Sequence, residues 1–239
     1  MAAPTDDAPA ASHCAAHAPI LVLAKYAAAN GAADPGGGDG VIEHGAELQP
    51  LRLLGIGGGM RPGSLCSAAL RTALQLAEGI GARTEVADVR ELNLPIFNDA
   101  MGVQDYPPTL AWLLYQVRTA DAFLLCSPTY HGTVSGAVKN VLDALNYLRD
   151  DRPRYLRGKA VGLMALGGLG AANTLDALAH TARALNGIVA PTMVAMPEDA
   201  FDANNVLQDR AVRKRTALMI EEVLDLARRL NRSPVGSSR

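Results

Sequence analysis

Leu51-Arg52-Leu53-Leu54-Gly55-Ile56-Gly57-Gly58-Gly59-Met60-Arg61-Pro62-Gly63-Ser64-Leu65-Cys66-Ser67 is the stretch from which the architecture can be read. A short apolar run ending in glycines reads as a buried strand, because a strand covered on both faces needs no polar alternation. The glycines then admit a turn into a helix, predicted from about Ser64 to Ile80 with Leu70, Leu74 and Ala77 on its apolar face. Outward from there the pattern repeats. Strands are predicted at Thr84 to Val89, Asp121 to Cys126, Lys159 to Leu166 and Ile188 to Met196. Helical spacing marks Val138, Val141, Leu142, Leu145 and Leu148 after Ser135, and Leu175, Leu178, Ala182 and Leu185 after Gly170. A last helix is predicted from about Val206 to Leu230. Five strands alternating with helices predict an α/β fold, a parallel sheet covered on both faces with right-handed crossovers. Ligands of such sheets bind at the carboxyl ends of strands, so the chemistry is expected in the loops after strands one, three and four.

Composition bounds the rest. The chain has 239 residues, 49% hydrophobic and 19% charged, enough apolar material for one substantial domain plus extras. A formal charge of −2 argues against nucleic acid or an anionic membrane as partner. Cys14, Cys66 and Cys126 show no metal-ligand spacing and suit reduced thiols in a cytoplasm. No apolar run has membrane length, and Asp6 and Asp7 stand where a signal peptide would be basic.

Three regions are expected. Residues 1–48 are rich in Ala, Pro, Gly and Asp and include Asp34-Pro35-Gly36-Gly37-Gly38-Asp39-Gly40, a composition with little to bury and much entropy to lose. They are expected to form a flexible, largely disordered arm, within which Ile20 to Tyr26 is a candidate docking element. Residues 49–232 are expected to form the domain, and residues 233–239 a disordered tail.

The loop after the first strand has the chemistry of a monophosphate pocket. Its glycines permit close backbone approach, the helix start offers unpaired N–H groups, Arg61 supplies a full charge, and Ser64 and Ser67 supply hydroxyls. No Gly-Lys-Ser/Thr follows, so it is not a P-loop, and Met60 stands where a dinucleotide fingerprint needs its third glycine. Asp88 at the end of strand two keeps a dinucleotide alternative open as an acidic ribose contact.

The loop after the third strand is Ser127-Pro128-Thr129-Tyr130-His131-Gly132-Thr133-Val134-Ser135-Gly136-Ala137-Val138-Lys139-Asn140-Val141-Leu142-Asp143. Here the sequence resembles the NADPH-dependent FMN reductase family, whose members share Ser-Pro-x-Tyr-x-Gly at a strand end, then Gly-x-x-Lys-Asn and an Asp. The first loop resembles that family's phosphate loop, and Leu94-Pro95-Ile96-Phe97-Asn98 its Leu-Pro-x-Tyr/Phe segment. The resemblance spans about Leu51 to Leu230. It implies a flavodoxin-like three-layer sandwich with strand order 2-1-3-4-5, bound FMN, NADPH as reductant, and a homodimer or homotetramer in which a neighbour covers the flavin.

Carried over by position, the resemblance implies that Gly59, Arg61, Ser64 and Cys66 meet the phosphate. Pro128, Thr129, Tyr130, His131 and Gly132 would line the isoalloxazine ring, with Gly167 and Gly168 at its pyrimidine side or near the nicotinamide. Gly59 and Cys66 replace residues that usually carry hydroxyl or amide groups, which implies weaker FMN binding. His131 stands where Asn is common and is the candidate catalytic side chain, although flavin supplies the hard chemistry. Lys139, Asn140 and Asp143 read as a network that fixes the loop. The implied reaction carries hydride from NADPH through FMN to a small-molecule acceptor: free flavin feeding a monooxygenase, a quinone, an azo compound, a metal oxyanion or one metabolite. The alternatives are a family member that lost its flavin and serves as a scaffold, and a flavodoxin-type electron carrier.

Overall fold

The computed structural model describes residues 49–232, with side chains to residue 231. The expected arm and tail, the Ile20 to Tyr26 element and Cys14 lie outside the described residues. Strand β1 (Arg52–Gly57) pairs in parallel with β2 (Arg83–Asp88) on one side and β3 (Ala122–Tyr130) on the other. Strand β3 pairs onward with β5 (Ala160–Leu166), and β5 with β6 (Ile188–Met196). The order β2-β1-β3-β5-β6 is the predicted 2-1-3-4-5 once β4 (Thr133–Val134), a short antiparallel addition to β3, is set aside.

The helices are α1 (Leu65–Glu78), α2 (Val89–Leu92), α3 (Pro108–Thr119), α4 (Gly136–Ala144), α5 (Ala171–Ala184) and α6 (Arg210–Arg232). Helices α1 and α6 pack together on one sheet face, where Leu70, Leu74, Met219 and Val223 meet Leu53, Leu124, Met164 and Val194. Helices α3, α4 and α5 cover the other face, which carries Leu54, Ile56, Phe123 and Leu163. Each central strand is buried along its length, as a sheet covered twice requires. A Cβ on Gly55 would stand 2.9 Å from Leu70 Cδ1, so this glycine lets α1 lie close against β1.

Two departures from the sequence reading bear on function. Helix α3 was not among the predicted elements, although Leu110, Leu113, Leu114 and Val117 are buried at helical spacing. Strand β3 also runs four residues past Cys126, so part of the predicted loop is strand. Proline is tolerated there for a local reason. Cys126 O accepts from Gly58 N, so alternate residues of β3 turn their backbone groups toward β1. The last residue of β3 paired to β1 is Cys126, opposite Gly57, so Pro128 lies beyond the pairing and its missing N–H breaks nothing.

Candidate active site

The three loops singled out from the sequence meet at the carboxyl end of the sheet. Gly57 opens the first loop with φ +153°, and a Cβ there would stand 2.0 Å from Cys126 O, so no other residue fits. Gly58 donates to Cys126 O at 3.2 Å, and Gly59 donates to Ser67 Oγ at 3.3 Å. Ser64 is the N-cap of α1 and accepts from Ser67 N. Ser67 is therefore part of the loop's own scaffold. From the other side, Asn205 donates through Nδ2 to Gly63 O at 3.2 Å.

What this loop leaves over is cationic and donor-rich. Arg61 is exposed and has no partner among the described residues. The N–H groups of Leu65 and Cys66 open a 14-residue helix and have no acceptor in the described fold. These groups fit a phosphate. The Cys66 side chain does not take part: it is fully buried, with Sγ 3.3 Å from Cys126 Sγ. Position two of α1 faces the core here, so the predicted phosphate contact of Cys66 is corrected to its backbone N–H alone. The thiol–thiol hydrogen bond, then burial, push Cys126 well above its ordinary pKa, with the neighbouring Cys66 and Asp88 adding to the shift. Asp88 is 5% exposed and caps α2 by accepting from Arg90 N at 3.0 Å, while Arg71 stands 3.6 Å away. One oxygen of its carboxylate thus serves that cap and the side chain is buried, an arrangement that suits a structural role better than a ribose contact.

The second loop is a hairpin. His131 at φ 51° and Gly132 at φ 78° form the two-residue connection between Tyr130 and Thr133, a left-handed pair that matches strand twist. Ser127, fully buried, locks its base: its hydroxyl donates to Pro128 O at 2.8 Å and accepts from Ser135 N at 3.0 Å. Ser135 in turn caps α4. Pro128 is buried, Thr129 half-buried, and Tyr130 and His131 are exposed at the rim, Tyr130 at 58%.

The third loop closes on the second. A Cβ on Gly167 would stand 2.7 Å from Thr129 Cβ, and one on Gly170 would stand 3.4 Å from Gly132 Cα. Gly168 is exposed and nothing lies within 4 Å of a Cβ built there. Leu169 beside it is wholly exposed. Pro128 to Gly132, Gly167 and Gly168 are thus brought together, with Gly57 to Gly59 joined to the same strand end through Cys126.

Of the Lys139, Asn140 and Asp143 network read from the sequence, the structure shows an ion pair along the helix and a clamp on a neighbouring segment. Asn140 accepts from Phe97 N at 2.7 Å and donates to Pro95 O at 2.9 Å, which fastens the Leu94 to Phe97 segment onto α4. Lys139 pairs with Asp143 at 2.6 Å along the helix. Between these elements and Met60 lies an open groove of about 420 Å³ lined by Val89, Leu94, Ile96, Ala137 and Val141. Asn205 could have been suspected only as part of the turn-like Asp202-Ala203-Asn204-Asn205, and Thr174 not at all.

A sequence model of NADPH-dependent FMN reductases matches residues 51–201. The chain belongs to the NADPH-dependent FMN reductase family. It is therefore an FMN-dependent NAD(P)H oxidoreductase by descent. Over 189 residues it is 30% identical to an NAD(P)H-dependent FMN reductase of Pseudomonas aeruginosa, covering 75% of this chain and 97% of that one. An FMN-dependent NADPH-azoreductase of Staphylococcus saprophyticus is 32% identical over 130 residues, 52% of this chain and 66% of its own. Among solved structures, FerB, a flavoenzyme NAD(P)H:(acceptor) oxidoreductase from Paracoccus denitrificans, matches 75% of this chain and 98% of its own with a TM-score of 0.62. At 22% identity that last likeness speaks for the fold. No helix among the described residues is long and apolar enough to cross a membrane.

Proposed function

We propose that the carboxyl ends of β1, β3 and β5 hold FMN in this chain, and that the domain passes reducing equivalents from NADPH to a small-molecule acceptor. The observation that carries the assignment is the first loop: a guanidinium and two N–H groups, unpartnered among the described residues, stand on a glycine turn with no room for a Cβ at Gly57 or Gly58. That is the donor set of a phosphate monoester. Arg61 and the N–H groups of Leu65 and Cys66 take the phosphate, with Gly59 and Ser64 shaping the turn. The hairpin Pro128 to Gly132 and the Gly167-Gly168 turn border the ring. When bound, FMN accepts hydride from a nicotinamide and gives electrons to an oxidant. The chain's own work is positioning. Gly167 and Gly170 press Thr129 into place, Ser127 fixes the hairpin, and the exposed His131 meets the ring edge or the incoming substrate.

Tyr130, Met60, Ile96 and Leu169 leave an apolar rim that suits a planar substrate or a second copy of the chain, so the reading includes a homodimer or homotetramer. The sparse cysteines, without metal-ligand spacing, support a cytoplasmic setting. The acceptor is one of the classes named from the sequence, free flavin for a monooxygenase among them. One shared face predicts ping-pong kinetics, with parallel initial-velocity lines. The test is a visible absorption titration of the purified protein with FMN, followed by anaerobic NADPH. A perturbed flavin band that bleaches supports the reading. Arg61→Ala should raise the Kd for FMN by about tenfold or more, as expected for a charge-assisted phosphate contact. A wild-type protein that leaves the FMN spectrum unchanged would overturn it and favour the scaffold alternative.

A further inference from the structure

Thr174 lies in the first turns of α5, is fully buried, and uses its hydroxyl in an unusual way for a helical threonine. Thr181 and Thr216 bond back to the carbonyl four residues earlier, at 2.9 and 2.8 Å. For Thr174 the equivalent distance, to Gly170 O, is stretched to 3.4 Å, and the short bond of 2.9 Å goes instead to Thr129 Oγ1 on β3. Thr129 is gripped at the same time by glycines. A Cβ on Gly167 would stand 2.7 Å from its Cβ and 2.9 Å from its Oγ1, and one on Gly170 would stand 3.0 Å from its Cγ2. Three elements of the site thus converge on one side chain.

Each hydroxyl has one hydrogen and two lone pairs. If Thr174 donates to Thr129, the Thr129 hydrogen is left over. If Thr129 donates to Thr174, then Thr174 donates to Gly170 O, and Thr129 keeps open lone pairs. Both arrangements satisfy the buried Thr174, and no other partner of the Thr129 hydroxyl exists among the described residues. We propose that Thr174 is a positioning residue that acts through Thr129, setting its hydroxyl to offer the flavin a donor in one arrangement and an acceptor in the other. The inference rests on the reading that the hairpin and the Gly167 turn border the ring. A flavin edge presents acceptors when oxidised and gains N–H when reduced, so a reversible pair of hydroxyls matches both states where a fixed amide would match one.

The test is the affinity for FMN, oxidised and dithionite-reduced, in wild type, Thr129→Val, Thr174→Val, the double variant and Thr174→Ser. Thr181→Val serves as the control. Losing one hydrogen bond to the ligand should raise both dissociation constants about five- to tenfold in Thr129→Val and in Thr174→Val. The double variant should be no worse than Thr129→Val, because the two residues act in series. Thr174→Ser keeps the hydroxyl and should bind as wild type, as should Thr181→Val. Additive losses, or a Thr174→Val protein with lower melting temperature and unchanged affinity, would give Thr174 a structural role only and overturn the inference. A loss confined to one oxidation state would overturn the two-way relay. If Thr174→Val does not fold, a Thr174→Ser protein that binds as weakly as Thr129→Val decides against the inference. Wild type that binds no FMN would instead remove the site assignment itself, an outcome distinct from these.

Discussion

Single residues decide how well the first loop is built. A Cβ on Gly59 would lie 2.6 Å from Ser64 Oγ, so Gly59→Ala must push the capping hydroxyl aside. The loss of that cap should cost about 1 kcal/mol, measured by urea unfolding, and should weaken FMN binding in the same protein. The resemblance made Gly59 look like a lost contact, and only the packing shows that the glycine is required by the serine beside the helix. Cys66 was misjudged for the opposite reason, since its position in the loop was legible and its rotation into the core was not. Lys159 shows how far packing can move a charge. Burial lowers its pKa from 10.5 to about 8, against the pull of Asp121, while Nζ donates to Val117 O and Arg118 O. The folded state then holds fewer protons than the unfolded one between those two values. Stability relative to Lys159→Met should be flat below about pH 8 and should rise toward about pH 10.5. Paired urea titrations across that range check the sign, and a falling difference would refute it.

At the scale of elements, side chains tie loops to helices. Asn140 on α4 holds the Leu94 to Phe97 segment by its Phe97 N and Pro95 O bonds. Asn140→Ala leaves a half-buried N–H unpaired and should cost about 1–3 kcal/mol, with faster hydrogen exchange at Phe97 as the local signature. If exchange there is unchanged, the clamp is not what orders the segment. The apolar spacings in the chain located β1, β5, β6, α1 and the start of α4 to within a residue or three, because buried strands and amphipathic helices are written in local sequence. Helix α3 passed unread although its pattern is present. The extension of β3 was not readable, since Ser127 to Tyr130 becomes strand only by pairing with β5 and β4.

For the molecule as a whole, cofactor binding and stability are one equilibrium. FMN at about a hundred times its Kd should add about 2.7 kcal/mol to unfolding, which for a domain of this size raises Tm by roughly 5–10 °C. Calorimetry with and without FMN tests this, and Arg61→Ala should show a smaller rise at the same FMN concentration. The sequence alone determined the layered α/β architecture, because hydrophobic periodicity and glycine-marked turns are local, and its contiguous strand-end motif carried the resemblance that implied the family and, with it, the strand order. It also singled out the three loops that meet at the carboxyl end of the sheet. Only the tertiary structure decided which atoms those loops offer. It committed Asp88 to a cap and the Cys66 thiol to the core, and it brought Thr174, Asn140 and Asn205 to the site from elements tens of residues away. Hydrogen bonds of that kind join groups distant in the chain, and no local pattern records which donor will find which acceptor.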